Sequence, residues 1–224
     1  MALPPGHADP IPSGEMVSLV SGTQETFHVH ANLLIYYSKF FATEFLDESE
    51  EALSMTFNLE GLTDNISMTI YTDWIYARNH LGKAPNVFGE RTLEQLMKSW
   101  LLGSRLLTPI FQNDVMGEMY LRSRTELPQN MEFLRFVVRS VNDSSTAHTV
   151  TDKFLVRLIA YCVSCNEFDG DDCMEILGEL NVSNTYKVLK CIVDHFTTIR
   201  EDDDQGDYYH KIIGPIEDFM MEEY

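Results

Sequence analysis

The spacing of apolar positions changes at His30, and that change organises the first half of the chain. "EMVSLVSG" (residues 15–22) reads as a short strand running into a glycine turn. "TFHV" (residues 26–29) reads as a second strand, antiparallel to the first across that turn. From Ala31 onward Leu33, Leu34, Tyr37, Phe40, Phe41 and Phe45 recur at steps of three and four, which predicts one or two short helices over 31–46. "LDESEEA" (46–52) reads as an acidic loop, and "MTFNL" (55–59) alternates as a third strand. Thr63 and Asp64 are helix-start residues ahead of a face made by Ile66, Ile70, Tyr71, Trp74 and Ile75. "ARNHLGKAPNVFGE" (77–90) reads as a loop. Thr92 caps a second helix with Leu93, Leu96, Met97, Trp100 and Leu101 on one side. Thr108 followed by Pro109 has the form of a cap and first helical residue, opening a third helix whose buried side is Phe111, Val115 and Met119.

Beyond Pro128 the pattern is helical. Residues 131–141 form one candidate, and 184–199 another. "TVTDKFLVRLIAYCV" (149–163) is a third, with Thr151 as cap, Asp152 placed favourably against the helix dipole, and Phe154, Leu155, Leu158, Ile159 and Cys162 on one face. Few strands, then runs of helix, place the chain in the α+β class: a small, mostly antiparallel sheet of about three strands under a helical cluster, with more helices behind it. The expected division is a Pro-rich lead over 1–14, a domain over 15–125, a helical extension over 126–199 and an acidic tail over 200–224.

Charge sharpens this picture. The 224 residues carry a formal charge of −19, and −7 of it lies in residues 200–224. The Asp202–Asp204 run reads as a solvated tail. No basic stripe offers a nucleic-acid backbone its counter-charge, and an anionic membrane surface would repel the chain. No apolar run approaches the roughly 18 residues of a membrane span. The opening "MALPPGHADPIPSGE" lacks the basic start and apolar centre of a secretory leader, so a cytoplasmic or nuclear protein is expected.

Two groups of side chains invite a chemical reading. His28 and His30 share one face of a strand, as two ligands of a metal would. Cys162 and Cys165 have the spacing of a zinc or thiol-redox pair. A structural zinc site needs four ligands, and no second close pair accompanies either group; Cys173 and Cys191 are far apart in sequence. Packed histidine and free thiols are the favoured readings, with a metal-dependent or thiol-redox protein as the alternative. No phosphate-binding loop, nucleophile elbow, zinc-protease motif or dinucleotide fingerprint occurs. No enzyme and no cofactor are expected.

The order hairpin, helix pair, strand, three helices carries the residues Phe27, His30, Leu34, Ser38 and Phe41 and, later, Trp74-Ile75-Tyr76. Over about residues 15–125 this resembles a BTB/POZ domain, whose motif is F-x-x-H…L…S-x-x-F. It is most similar to the short BTB proteins of filamentous fungi, which also continue into a helical extension. The resemblance implies a protein-protein interaction module: an adaptor for a cullin-type ubiquitin ligase, or a scaffold. The family's acidic residue on the first strand corresponds to Glu15, and its basic residue after the histidine is replaced by Ala31. The charge pair at the family's dimer groove is therefore broken. The lead carries prolines at 4, 5, 10 and 12, which cannot donate a regular ladder. A monomer or weak homodimer without strand exchange is expected, self-association using the face around Leu33 and Tyr36. The family's cullin-binding motif, apolar-x-Glu, falls by spacing on Ser49-Glu50-Glu51, and Leu46-Asp47-Glu48 fits it three residues early. The expected partner surface is Asp47, Glu48 and Glu51 together with the helix beginning at Pro109 and Phe111.

Overall fold

A computed structural model describes residues 14–47, 49–59, 64–81, 87–126, 131–143, 150–164, 170–198, 212–213 and 215–220. The architecture is α+β: one three-stranded sheet and a majority of helix. The chain divides into two compact units between Met119 and Tyr120.

The first unit contains the sheet. β1 (Met16–Val20) pairs antiparallel with β2 (Thr26–His30), Met16 opposite His30 and Val20 opposite Thr26. β3 (Thr56–Asn58) lies on the other side of β1 and runs parallel to it, Leu19 beside Phe57. The sheet is therefore mixed, not mostly antiparallel. The reason is the length of the connection: more than thirty residues separate β1 from β3, enough for the crossover that a parallel pair requires. The hairpin turn holds Gly22, yet the left-handed residue is Gln24, φ 63°. Its N–H bonds the Ser21 carbonyl, and the Ser21 and Thr23 hydroxyls both donate to the Asn65 side-chain oxygen at the start of the next long helix.

The expected helix pair is α1 (Ala31–Tyr37) and α2 (Lys39–Leu46), divided at Ser38 in extended conformation. The acidic segment after α2 is not simply a loop. The Ser49 hydroxyl accepts from the Ala52 N–H and opens α3 (Glu50–Ser54), with Glu50 and Glu51 in its first turn, where the positive helix end favours carboxylates. Met55 turns left-handed, φ 54°, to release the chain into β3.

α4 (Asn65–Leu81) starts where Asp64 accepts the Ser67 N–H. It extends through Ala77–Leu81, which the polar composition suggests is loop; Arg78 and Asn79 are accommodated on its partly exposed side. α5 (Leu93–Arg105) opens with a reciprocal box, Thr92 accepting from the Gln95 N–H and Gln95 from the Thr92 N–H. α6 (Pro109–Glu126) follows a tight corner at Leu106–Thr108. The Thr108 hydroxyl does not cap α6. It turns back and donates to the Gly103 carbonyl, closing α5. Gly103 is fixed by packing: a Cβ there would come 2.8 Å from both Phe111 Cδ1 and Gln112 Cγ.

The core of this unit is aromatic. Phe41 and Phe57 meet edge-on at 5.0 Å, and Trp74 contacts Tyr37 at 5.2 Å and Phe111 at 5.1 Å between ring centres. Val17, Leu19, Val29, Leu33, Leu34, Leu96 and Met97 complete it.

The second unit is helical: α7 (Met131–Asp143), α8 (Val150–Ser164), α9 (Gly170–Glu179) and α10 (Val182–Thr198). α9 had no sequence expectation, because its apolar residues are few: Ile176 is buried while Met174 is exposed. α8 begins at Val150, so Thr151 lies inside the helix rather than capping it. Asn142 at the end of α7 joins the α9–α10 corner, donating to the Glu179 carbonyl at 2.7 Å and accepting from the Asn181 N–H at 3.0 Å. Arg135 of α7 pairs with Glu175 of α9. The acidic tail is in part packed: Ile212, Ile213 and Phe219 are buried, the last in a 3-10 turn over Ile216–Phe219. Residues 201–211 lie outside the described residues.

Candidate functional site

Of the five residues that carry the resemblance, the polar pair His30 and Ser38 sit at junctions between elements and are bonded across long sequence distances. Ser38, between α1 and α2, is buried. Its hydroxyl donates to the Leu106 carbonyl at 2.6 Å and accepts from the Phe41 N–H at 3.3 Å, so one oxygen starts α2 and fastens it to the α5–α6 corner. Beside it the Lys39 N–H reaches the Leu107 carbonyl. Leu107 is left-handed, φ 52°, and exposed. The Tyr71 hydroxyl lies near this junction; burial pushes its phenol well above the ordinary range, and the Ser38 hydroxyl offsets part of that.

His30 ends β2 and is half-buried, less enclosed than a core histidine. Its Nδ1 lies 2.8 Å from the Tyr76 hydroxyl, which also accepts the His30 backbone N–H at 3.2 Å. The motif histidine is thus joined to the tyrosine of Trp74-Ile75-Tyr76. His28 is exposed, with Nδ1 3.3 Å from the Ser18 hydroxyl across the hairpin. Trp74, one turn from Arg78 on α4, donates its indole N–H to Asp114 Oδ2 at 2.8 Å, and Arg78 reaches the same oxygen at 3.1 Å. Tyr76, Arg78 and Asp114 had no place in the sequence expectation beyond the W-I-Y motif itself. Arg78 and Asp114 are 36 residues apart, and no local pattern marks them as partners.

Of the other motif residues, Leu34 and Phe41 are fully buried and Phe27 is half-buried. The expected contact surface is redistributed. Leu33 and Phe111 are fully buried and present no surface, because a three-and-four spacing marks the side of a helix that packs inward as readily as one that faces a partner. Tyr36 and Pro109 are half-buried, and Asp47 and Glu51 are exposed. Glu48 lies outside the described residues. Exposed Lys39, Thr43 and Leu46 run along α2 at i, i+4 and i+7, from beside the Leu107 corner to Asp47 and α3. Eight residues of helix make this stripe about 12 Å long. It ends in two outward leucines, Leu46 at 82% and Leu53 at 72% exposure, on either side of the Asp47–Glu51 segment.

Elsewhere, Cys162 is buried on α8 and Cys191 is partly buried on α10, where burial pushes its thiol up against a partial offset from Arg157. A raised thiol is a poorer nucleophile at neutral pH. Cys165 lies outside the described residues. Among the described residues no three of His, Cys, Asp and Glu converge as a metal cage would require, and no helix is long and apolar enough to cross a membrane.

Compared with family models, curated proteins and solved structures, the chain matches none.

Proposed function

We propose that the chain is a protein-interaction module of the BTB/POZ kind, acting as an adaptor for a cullin-type ubiquitin ligase or as a scaffold. One observation carries this reading. The polar motif residues His30 and Ser38 act as internal fasteners, to Tyr76 and to the α5–α6 corner, and so hold α2 with its stripe facing outward. A module whose polar residues are spent on positioning a surface, with carboxylates and leucines at the end of that surface, has the chemistry of a docking site. The partner it fits offers apolar pockets for Leu46 and Leu53 and basic groups for Asp47 and Glu51. The family's groove pair is replaced by Glu15 and Ala31, which meet only through the Ala31 N–H and the Glu15 carbonyl at 2.9 Å, so this reading does not use that groove.

The test is capture of a purified cullin amino-terminal half by the full chain. Asp47→Lys with Glu51→Lys should cut capture about tenfold or more, since rim charges of this kind govern approach and partner choice. Helical content should stay unchanged and melting temperature fall only slightly, because both positions are exposed and the reversal costs only the Glu51 charge at the positive end of α3. Undiminished capture by the doubly reversed chain would remove this surface from the interface; absence of capture by the unaltered chain would leave scaffolding without a cullin.

A further inference from the structure

The described part of the tail behaves like a bound peptide. Phe219 is fully buried against Phe154 of α8, ring centres 5.1 Å apart. Arg157, one turn along α8, serves three parts of the same segment. Its Nη1 donates to the Ile213 carbonyl at 2.7 Å and to Asp218 Oδ2 at 3.1 Å, and its guanidinium carbon lies 5.3 Å from the centre of the Phe219 ring. Ile212 and Ile213 are buried as well. A main-chain carbonyl, a carboxylate and an aromatic face met by one guanidinium, with apolar anchors on either side, is how short linear motifs are read. Residues 199–211 separate this segment from the end of α10 at Thr198, and they include Glu201-Asp202-Asp203-Asp204-Gln205-Gly206-Asp207.

We propose that this face of α8 is a peptide-recognition site, that residues 212–219 are its resident ligand in cis, and that it takes a partner peptide of the same chemistry: an aliphatic pair, then a proline-led turn closing on an acidic residue and an aromatic ring. The site belongs to the second unit and goes beyond the reading of the α2 stripe, which belongs to the first. Tethering sets the threshold. A linker of this length holds the segment at an effective concentration on the order of millimolar, so the site is filled in cis until a stronger or more abundant peptide arrives. Any partner then binds with its affinity reduced by the fraction of time the site stands empty.

A fluorescent peptide with the sequence of residues 210–220, titrated into the full chain and followed by anisotropy, tests this. The Phe219→Ala chain, whose own segment has lost its anchor, should bind the peptide about tenfold or more tightly than the unaltered chain. Adding Arg157→Ala to that chain should remove the binding. No binding to a helical Phe219→Ala chain at millimolar peptide, or binding indifferent to Arg157→Ala, would overturn the proposal. A second form guards against a chain that fails to fold: a specific protease site in place of residues 203–208, cut after folding. The freed segment should then exchange with labelled peptide while the helical signal persists. Unfolding on cutting and dilution would show that the segment is part of the core and not a ligand.

Discussion

In the first unit the chain is joined to itself through buried and half-buried polar atoms that reach far along the sequence: Ser38 to Leu106, His30 to Tyr76, Trp74 to Asp114. In the second, the last segment is held by its buried Ile212, Ile213 and Phe219 and by one arginine, and the sequence between it and α10 is rich in carboxylates. Trp74 and Phe219 are equally buried, yet they occupy different kinds of place. Around Trp74 the rings of Tyr37, Tyr71 and Phe111 and the carboxylate of Asp114 belong to α1, α4 and α6, which are built into the unit. Around Phe219 one side of the contact is a short segment that can leave. Burial measures how much surface is hidden; it says nothing of what it costs to expose it again.

Paired truncations test that difference most severely. Trp74→Ala should destabilise the first unit by about 3–5 kcal/mol, since it opens a cavity among Tyr37, Tyr71 and Phe111 and strips a donor from Asp114. Phe219→Ala should cost less, about 2–3 kcal/mol, because the loss is capped at the docking free energy of a tethered segment. Chemical denaturation of both variants checks the pair; an equal loss would erase the distinction.

Next in size is Ser38→Ala. It deprives the Leu106 carbonyl of its hydroxyl donor and removes the α2 cap, and should cost about 2 kcal/mol by the same measurement. A loss under about 0.5 kcal/mol would mean that the fastening is incidental.

The smallest effect concerns His30. It is half-buried, so His30→Ala and Tyr76→Phe should each cost about 1 kcal/mol, with a coupling of about 0.5–1 kcal/mol in the double-mutant cycle. Additive losses would show that the two side chains stand side by side without supporting each other.

Much of the first unit was legible from the sequence. The period change at His30, the Thr92 cap and the inward face of Trp74 are local signals, written within a few residues of where they act. The parallel placement of β3 was not, because strand direction depends on how far a connection carries the chain and not on the strand's own residues. The short α3 was hidden by its acidic composition, although Ser49 ahead of Glu50 and Glu51 is a helix start in miniature. Of the residues expected at a partner surface, Asp47 and Glu51 are exposed, whereas Leu33 and Phe111 point inward, since periodicity identifies a face without saying what it meets. The docked tail was overlooked for a similar reason. Its charge drew attention to the linker, while Ile212, Ile213 and Phe219, the residues that bind, stood in plain view among the carboxylates.

The Ser38 fastening also bears on the order in which the chain assembles. The β1–β2 hairpin closes over a few residues and can form as soon as it is made. The junction between α1 and α2 waits for a carbonyl 68 residues further on. Until the α5–α6 corner has been synthesised, α2 has its cap and, once β3 is made, Phe57 for its phenylalanines to pack on, but no anchor at Ser38. Contacts of such separation form late and slow the search for the native state. A late contact leaves a kinetic mark: its loss in Ser38→Ala should quicken unfolding and leave the refolding rate nearly unchanged. During synthesis, the helix that carries the exposed stripe is among the first made and among the last to be secured.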